Sequence, residues 1–196
     1  MKRSELDQFT MAHRISTSRN PGAASRRQAF NAWRELAQAG YVRSAFYLGV
    51  CYDTGFGTRV NRPKAFAFFM DAARAGHPTA QYNVYLMLRT GVGTERREKE
   101  ALRWLKRAAA SGDTDALRNL GYHLHEGQGV RRDLRKAAAL YRAAARKGDA
   151  MAQWNLALCY KDGDGVARSS RWSTLWMRKA AANGHARAAA YLRKKQ

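Results

Sequence analysis

The sequence predicts an all-α fold: a right-handed α/α solenoid of about four full 36-residue helix-pair repeats with a capping helix at each end. Three observations carry this. Shifted against itself by 36 positions, the chain aligns its glycines in columns. Gly40, Gly76, Gly112, Gly148 and Gly184 form the first, while Gly55, Gly91, Gly127 and Gly163 precede Gly57, Gly93, Gly129 and Gly165 in two further columns. Between the columns, apolar and small residues recur with helical spacing, and paired alanines recur after the Gly-x-Gly. Fixed-period self-similarity of this kind marks a solenoid, in which each unit contacts mainly its neighbours.

The elements follow in order. Residues 1–23 lie outside the repeat and are expected to be a partly flexible N-terminal extension, with residues 24–196 forming the solenoid. Within the extension, Ser4 to Ser16 reads as a short helix with Ser4 as N-cap, and Ser16 to Ser25, containing Asn20-Pro-Gly22, reads as linker. Positions in each repeat are counted here from its leading glycine. Position 4 is small (Ser44, Ala80, Ala116, Ala152), position 8 apolar (Leu48, Val84, Leu120, Leu156) and position 12 large (Tyr52, Leu88, Leu124, Tyr160). Steps of four put these on one face of a first helix, helix A, which the Gly-x-Gly ends. A second helix, helix B, carries the alanine pairs Ala72-Ala73, Ala108-Ala109, Ala144-Ala145 and Ala180-Ala181, which permit close packing. Phe68, Phe69, Trp104, Tyr141 and Trp176 precede them and fill space between units. A half-unit at Ala24 to Ala39 and a closing helix at Ala186 to Lys194 cap the array.

Stretches such as Ala152-Gln-Trp-Asn-Leu-Ala-Leu-Cys-Tyr160, Gly127-Gln-Gly-Val130 and Lys136-Ala-Ala-Ala-Leu-Tyr-Arg-Ala-Ala-Ala145 resemble the Sel-one-like repeat family, a relative of the tetratricopeptide repeat. The resemblance covers residues 40 to 184 and implies a bacterial-type protein that binds other macromolecules and has no catalytic role. Departures are local: Tyr85 replaces a small residue, Thr58 and Thr94 replace Val, and Ser173 replaces the Ala that opens helix B.

With 45% hydrophobic residues the chain is globular material, yet its formal net charge is +21. Such a surplus attracts polyanions or acidic proteins; equally, it is the surplus that solvated helix faces of an arginine-rich chain carry. Neither an apolar signal core nor an apolar run long enough to span a membrane is present, so a cytoplasmic location is expected.

The chemistry-bearing residues argue against an enzyme. Cys51 and Cys159 occupy equivalent positions 108 residues apart, too distant for a disulfide, and read as small core residues. His77 and His185 sit in the turn before helix A, where the resemblance makes them structural, and His123-Leu-His125 points its two rings to different helix faces. Asp162-Gly-Asp-Gly165 lacks the remaining ligands of a calcium loop. The Gly-x-Gly follows a helix, whereas a phosphate cradle lies between strand and helix. No cofactor or metal is therefore expected.

Two surfaces remain. In helical-hairpin solenoids helix A lines a concave face. Position 7 there gives Tyr47, Asn83, Asn119 and Asn155, whose three Asn amides form a row that either hydrogen-bonds a peptide or supports the stack. Val50, Leu86, Tyr122 and Leu158 at position 10 and Glu126 at position 14 flank it, with Tyr47 and Tyr122 as the expected anchors for a protein partner. Helix A is itself charge-neutral, with four cations against four acids. Positions 19 to 24 instead hold twelve cations against four acids, including Arg59, Arg62, Lys64, Arg96, Arg97, Arg131, Arg132, Arg135, Arg168 and Arg171. That edge suits nucleic acid or an acidic protein through salt-sensitive contacts, unless it is only a solvated rim.

Overall fold

The computed structural model of the chain describes residues 2–194. Among them the regular structure is entirely helical, in the order α1 (Arg3–Thr17), α2 (Ala23–Gln38), α3 (Val42–Thr54), α4 (Arg62–Arg74), α5 (Pro78–Thr90), α6 (Glu98–Ala110), α7 (Thr114–Glu126), α8 (Leu134–Arg146), α9 (Ala150–Asp162), α10 (Ser170–Ala182) and α11 (Ala186–Arg193). The four helices A are α3, α5, α7 and α9; the four helices B are α4, α6, α8 and α10, and each is 13 residues long. Two compact units divide within α6, between Trp104 and Leu105.

The same bonds join the two helices of every A–B pair. The first glycine of each Gly-x-Gly takes a left-handed conformation and closes helix A; in the first pair Gly55, at φ 80°, donates its N–H to the Cys51 carbonyl. The chain then returns so that the residue before helix B donates its N–H to the carbonyl at position 12, as Asn61 does to Tyr52 and Ser169 to Tyr160. Asn61, Asp133 and Ser169 also cap α4, α8 and α10 with their side chains. The second glycine of the motif is needed for proximity: a Cβ at Gly57 would press into the Arg26 carbonyl of α2, and one at Gly165 into the Leu134 carbonyl of α8.

In the first unit, residues 2–104, α1 packs on α2, α2 on α3, α3 on α4 and α4 on α5. The helix A stripe is buried at Ser44, Leu48, Ala80, Val84 and Leu88, and Gly49 lets the Phe69 ring come within 2.8 Å of where a Cβ would stand. Tyr85, bulky where Gly49 is small, is also buried, with the Arg89 guanidinium 5.3 Å from its ring centroid. The extension is part of this core. Ala12 is buried, Phe9 meets Trp33 edge-on at 4.9 Å, the Gln8 amide donates to Glu35 at 2.6 Å, and the Tyr41 hydroxyl donates to Glu5. That last bond holds the Glu5 carboxyl below its ordinary range.

Two local expectations change here. The Lys2 N–H donates to the Glu5 carboxylate at 2.6 Å, so α1 starts at Arg3 with Lys2 in the cap position in place of Ser4. The expected linker shrinks to residues 18–22, because α1 runs to Thr17 and α2 starts at Ala23.

In the second unit, residues 105–194, α7 packs on α8, α8 on α9, α9 on α10 and α10 on α11. Ala116, Ala152 and Leu156 are buried, whereas Leu120 is only partly so. Gly121 takes the Tyr141 ring as Gly49 takes Phe69, with 2.8 Å to the Cβ position. The Gln153 amide donates to the Ala145 carbonyl at 3.0 Å, joining α9 to α8, and the Ser173 that replaces Ala is buried without disturbing α10.

Candidate binding surfaces

The helix A row does not present itself uniformly. Tyr47 is half-buried: its ring stacks on Trp33 at 4.5 Å, meets Phe9 at 6.0 Å and His13 at 5.7 Å, and so lies beneath α1. Asn83, Asn119 and Asn155 are each half-buried, and the Asn119 amide donates to the Asp115 carbonyl of its own helix at 2.8 Å. Val50, Leu86 and Leu158 are half-buried too. Tyr122 and Glu126 are exposed, Tyr122 to 45%. The face thus offers an exposed aromatic ring in the second unit and a covered one in the first.

The ten cations of the expected edge are all exposed: Arg59, Arg62, Lys64, Arg96 and Arg97 in the first unit, Arg131, Arg132, Arg135, Arg168 and Arg171 in the second. Few meet an acid. Arg62 lies 3.9 Å from Asp53, Arg96 3.4 Å from Glu98 and Arg97 2.8 Å from Glu100. Exposed pairs of this sort add little stability and leave most of the positive charge uncompensated.

The residues that might have carried chemistry are absorbed by structure. Cys51 and Cys159 are free and buried, and burial pushes each thiol up to about 12, which keeps it protonated and unreactive near neutral pH. His77 and His185 cap α5 and α11, each Nδ1 accepting an N–H at 3.2 Å from Ala80 and Ala188 respectively. His123 is buried with Nδ1 2.8 Å from the Gln128 carbonyl, while His125 sits between Glu126 and Asp164, at 2.8 and 3.2 Å. Asp164 of the Asp-Gly-Asp-Gly turn is therefore engaged by α7.

Sequence columns read singly miss a pairing between columns. At three junctions within the units, position 6 of one helix A meets position 1 of the next repeat, the residue that caps the following helix A. Phe46 stacks on His77 at 4.4 Å, Arg118 pairs with Asp149, and Trp154 stacks on His185 at 4.9 Å. The signal lay in the residue types taken together: an aromatic with His, an arginine with Asp.

The Sel1 repeat family model matches residues 42–77, 78–113, 114–149 and 150–185. Among solved structures, a Sel1 repeat protein from Oxalobacter formigenes is 30% identical with a TM-score of 0.91, over 98% of this chain and 55% of that one. A protective antigen present in uropathogenic Escherichia coli strains, with the same repeat fold, is 26% identical with a TM-score of 0.82, over 94% of this chain and 39% of that one. An immunity protein from Pseudomonas aeruginosa shares the fold at 19% identity and a TM-score of 0.63, over 96% of this chain and 69% of that one. The chain spans about half the length of the first and two-fifths of the second. No curated protein matches it. Among the described residues no helix is long and apolar enough to cross a membrane. Proteins built of such repeats generally act as protein-interaction scaffolds and are typically non-catalytic; with four consecutive matches covering residues 42–185, this chain belongs to the Sel1 repeat family.

Proposed function

We propose that the chain is a non-catalytic scaffold or adaptor that holds a protein partner on the helix A face of its second unit. The exposure of Tyr122, at 45%, carries this reading, because a large ring left in water beside amides is the kind of anchor that dominates protein contacts. Asn119, Asn155, Leu158 and Glu126 surround it in the repeat pattern, so that apolar area and polar directionality lie together. Tyr47, Val50, Asn83 and Leu86 occupy the same repeat positions in the first unit, where α1 covers Tyr47. Capture of proteins from native cells by the chain, compared with Y122A/N119A/N155A, tests the reading: the triple variant loses a specific partner that the parent retains. Unchanged capture removes the face from consideration.

The uniform exposure of the ten edge cations favours a second reading, a binder of nucleic acid or of an acidic protein. Binding to generic RNA and DNA in dilute and in physiological salt tests it. Affinity that falls steeply with salt supports it, and no binding even in dilute salt eliminates the nucleic acid.

A further inference from the structure

A cleft of about 820 Å³ lies in the first unit between α2 and the turn that joins α3 to α4. That volume suits a small ligand, for which sites span roughly 300–1,000 Å³. Its charge is one-sided: Arg26, Arg27 and Arg34 line it from α2, Arg59 and Lys64 line it from the turn and α4, and no carboxylate is among its walls. None of these five cations takes part in an ion pair among the described residues.

Three of the five cations are also held in place. The Arg34 guanidinium lies 5.9 Å from the Phe30 ring centroid and the Lys64 ammonium 5.5 Å from that of Tyr52. The two rings meet edge to face at 5.5 Å and form an apolar wall of the cleft. Arg26 donates its Nε to the Pro21 carbonyl at 2.8 Å, which fixes the side chain and leaves its two terminal nitrogens out of that bond. Like charges gathered in this way repel one another until an anion enters, and an ordered set of donors loses little freedom when one does.

The equivalent place in the second unit shows which part of this is generic. There a cleft of about 620 Å³ lies between the start of α8 and the Gly163–Gly165 turn. It holds Arg132 and Arg135 but also Asp133, whose carboxylate accepts the Lys136 N–H at 3.0 Å and pairs with its ammonium at 3.2 Å. The hollow recurs with the repeat, whereas the dense uncompensated charge belongs to the first unit.

We infer that the cleft between α2 and the α3–α4 turn binds a small, multiply phosphorylated anion. Four of its five cations are arginines, whose planar fork matches phosphate oxygens two at a time. Each phosphate group brings about 1.5 to 2 negative charges on a few atoms, so a short polyphosphate fills the volume and meets the charge together. An acidic peptide would bring only one charge per side chain. The inference stands apart from the protein-docking face: its failure leaves the Tyr122 reading untouched.

Titration calorimetry of the full chain with inorganic tripolyphosphate tests it, in dilute and in physiological salt. The expected result is saturable one-to-one binding that R27A/R59A weakens about tenfold or more and R132A/R135A leaves unchanged. Circular dichroism checks that the variants fold; should R27A/R59A fail, R34Q/K64Q takes its place with the same expected loss. No binding in dilute salt overturns the inference, as does binding untouched by the cleft variants. Equal weakening by R132A/R135A, or several equivalent sites per chain, overturns it as well, because the anion then reads the basic edge as a whole. So does a single-stranded RNA that binds more tightly and responds to both variants alike.

Discussion

The two units use one repeat, but the second has a helix-pair junction of a chemistry that the first does not show. In residues 2–104 the junction at helix A is aromatic: Phe46 stacks on His77, and the Phe9, Trp33 and Tyr47 rings pack together where α1 meets α2 and α3. In residues 105–194 the same pair of positions holds the ion pair of Arg118 and Asp149, tied further to Asp115 at 2.6 Å, and only the last junction returns to a stacked pair, Trp154 and His185. The repeat fixes where two groups meet; it does not fix what they are. One constraint is shared, since the position 1 residue also caps the next helix A. His and Asp both accept an N–H, which is why the alternation is between those two from the second repeat onward.

The most damaging way to break the comparison is at the aromatic end. Trp33 has no exposed surface and contacts both Phe9 and Tyr47. Trp33→Ala is expected to cost about 3–5 kcal/mol, read as loss of unfolding free energy in urea, with hydrogen exchange rising first in α1 and α2. Next come the glycines that touch backbone. Gly57→Ala strains the first unit and Gly165→Ala the second, each by on the order of 3 kcal/mol, since the carbonyls they meet belong to helices and cannot swing aside. Hydrogen exchange mapped along the chain checks whether each substitution loosens its own unit. Gly148→Ala, where a Cβ meets nothing within 4 Å, is the control and is expected to cost about 1 kcal/mol from its φ of 92° alone.

The repeat itself was legible in the sequence because it rests on single columns. Position 4 must be small to lie under a neighbouring helix, and the glycines must turn or approach a carbonyl, so each column announces its own reason. The site was less legible, for two physical reasons. Tyr47 and Tyr122 look alike in a column, yet α1 covers one and not the other, and nothing in residues 1–23 has the repeat's period to say so. Arg26, Arg27 and Arg34 face the turn of the following repeat across a cleft, a juxtaposition that tertiary packing makes and that no local spacing encodes.

A smaller change sharpens the contrast between the junctions. Arg118 and Asp149 have side chains only 20% and 12% exposed, and burial of the arginine is offset by its two carboxylate partners, which together raise its pKa. Arg118→Ala leaves Asp149 its capping bond to the Ala152 N–H but removes its cation, at an expected cost of roughly 2 kcal/mol. That loss shrinks as salt rises, because the interaction removed is ionic. Phe46→Ala at the equivalent position removes stacked area instead, and its cost is expected not to fall with salt. Urea unfolding of both variants in low and high salt checks the difference; identical salt responses would dissolve the distinction between an ionic and an aromatic junction.

The smallest expected effect concerns pH at the last junction. His185 accepts the Ala188 N–H through Nδ1 and stacks on Trp154, and burial, together with the nearby Arg187, lowers its pKa below the ordinary imidazole value. A lowered folded-state pKa means the unfolded chain binds the proton more readily, so the contribution to stability is complete above the unfolded value of about 6.5 and declines as pH falls through the folded one. The neutral ring is the one that can cap, since a protonated Nδ1 offers a donor to a donor. Fraying of α11, followed by amide exchange at Ala188 and Ala189, is therefore expected to increase as pH drops from 7 into the acid range. His185→Asp transplants the residue used at positions 113 and 149 of the same chain and is expected to keep the cap while abolishing that response across the imidazole range, at the cost of the stacking on Trp154. If the variant frays with the same pH profile as the parent, the cap is not what titrates, and the interchange of His and Asp at position 1 loses its physical explanation.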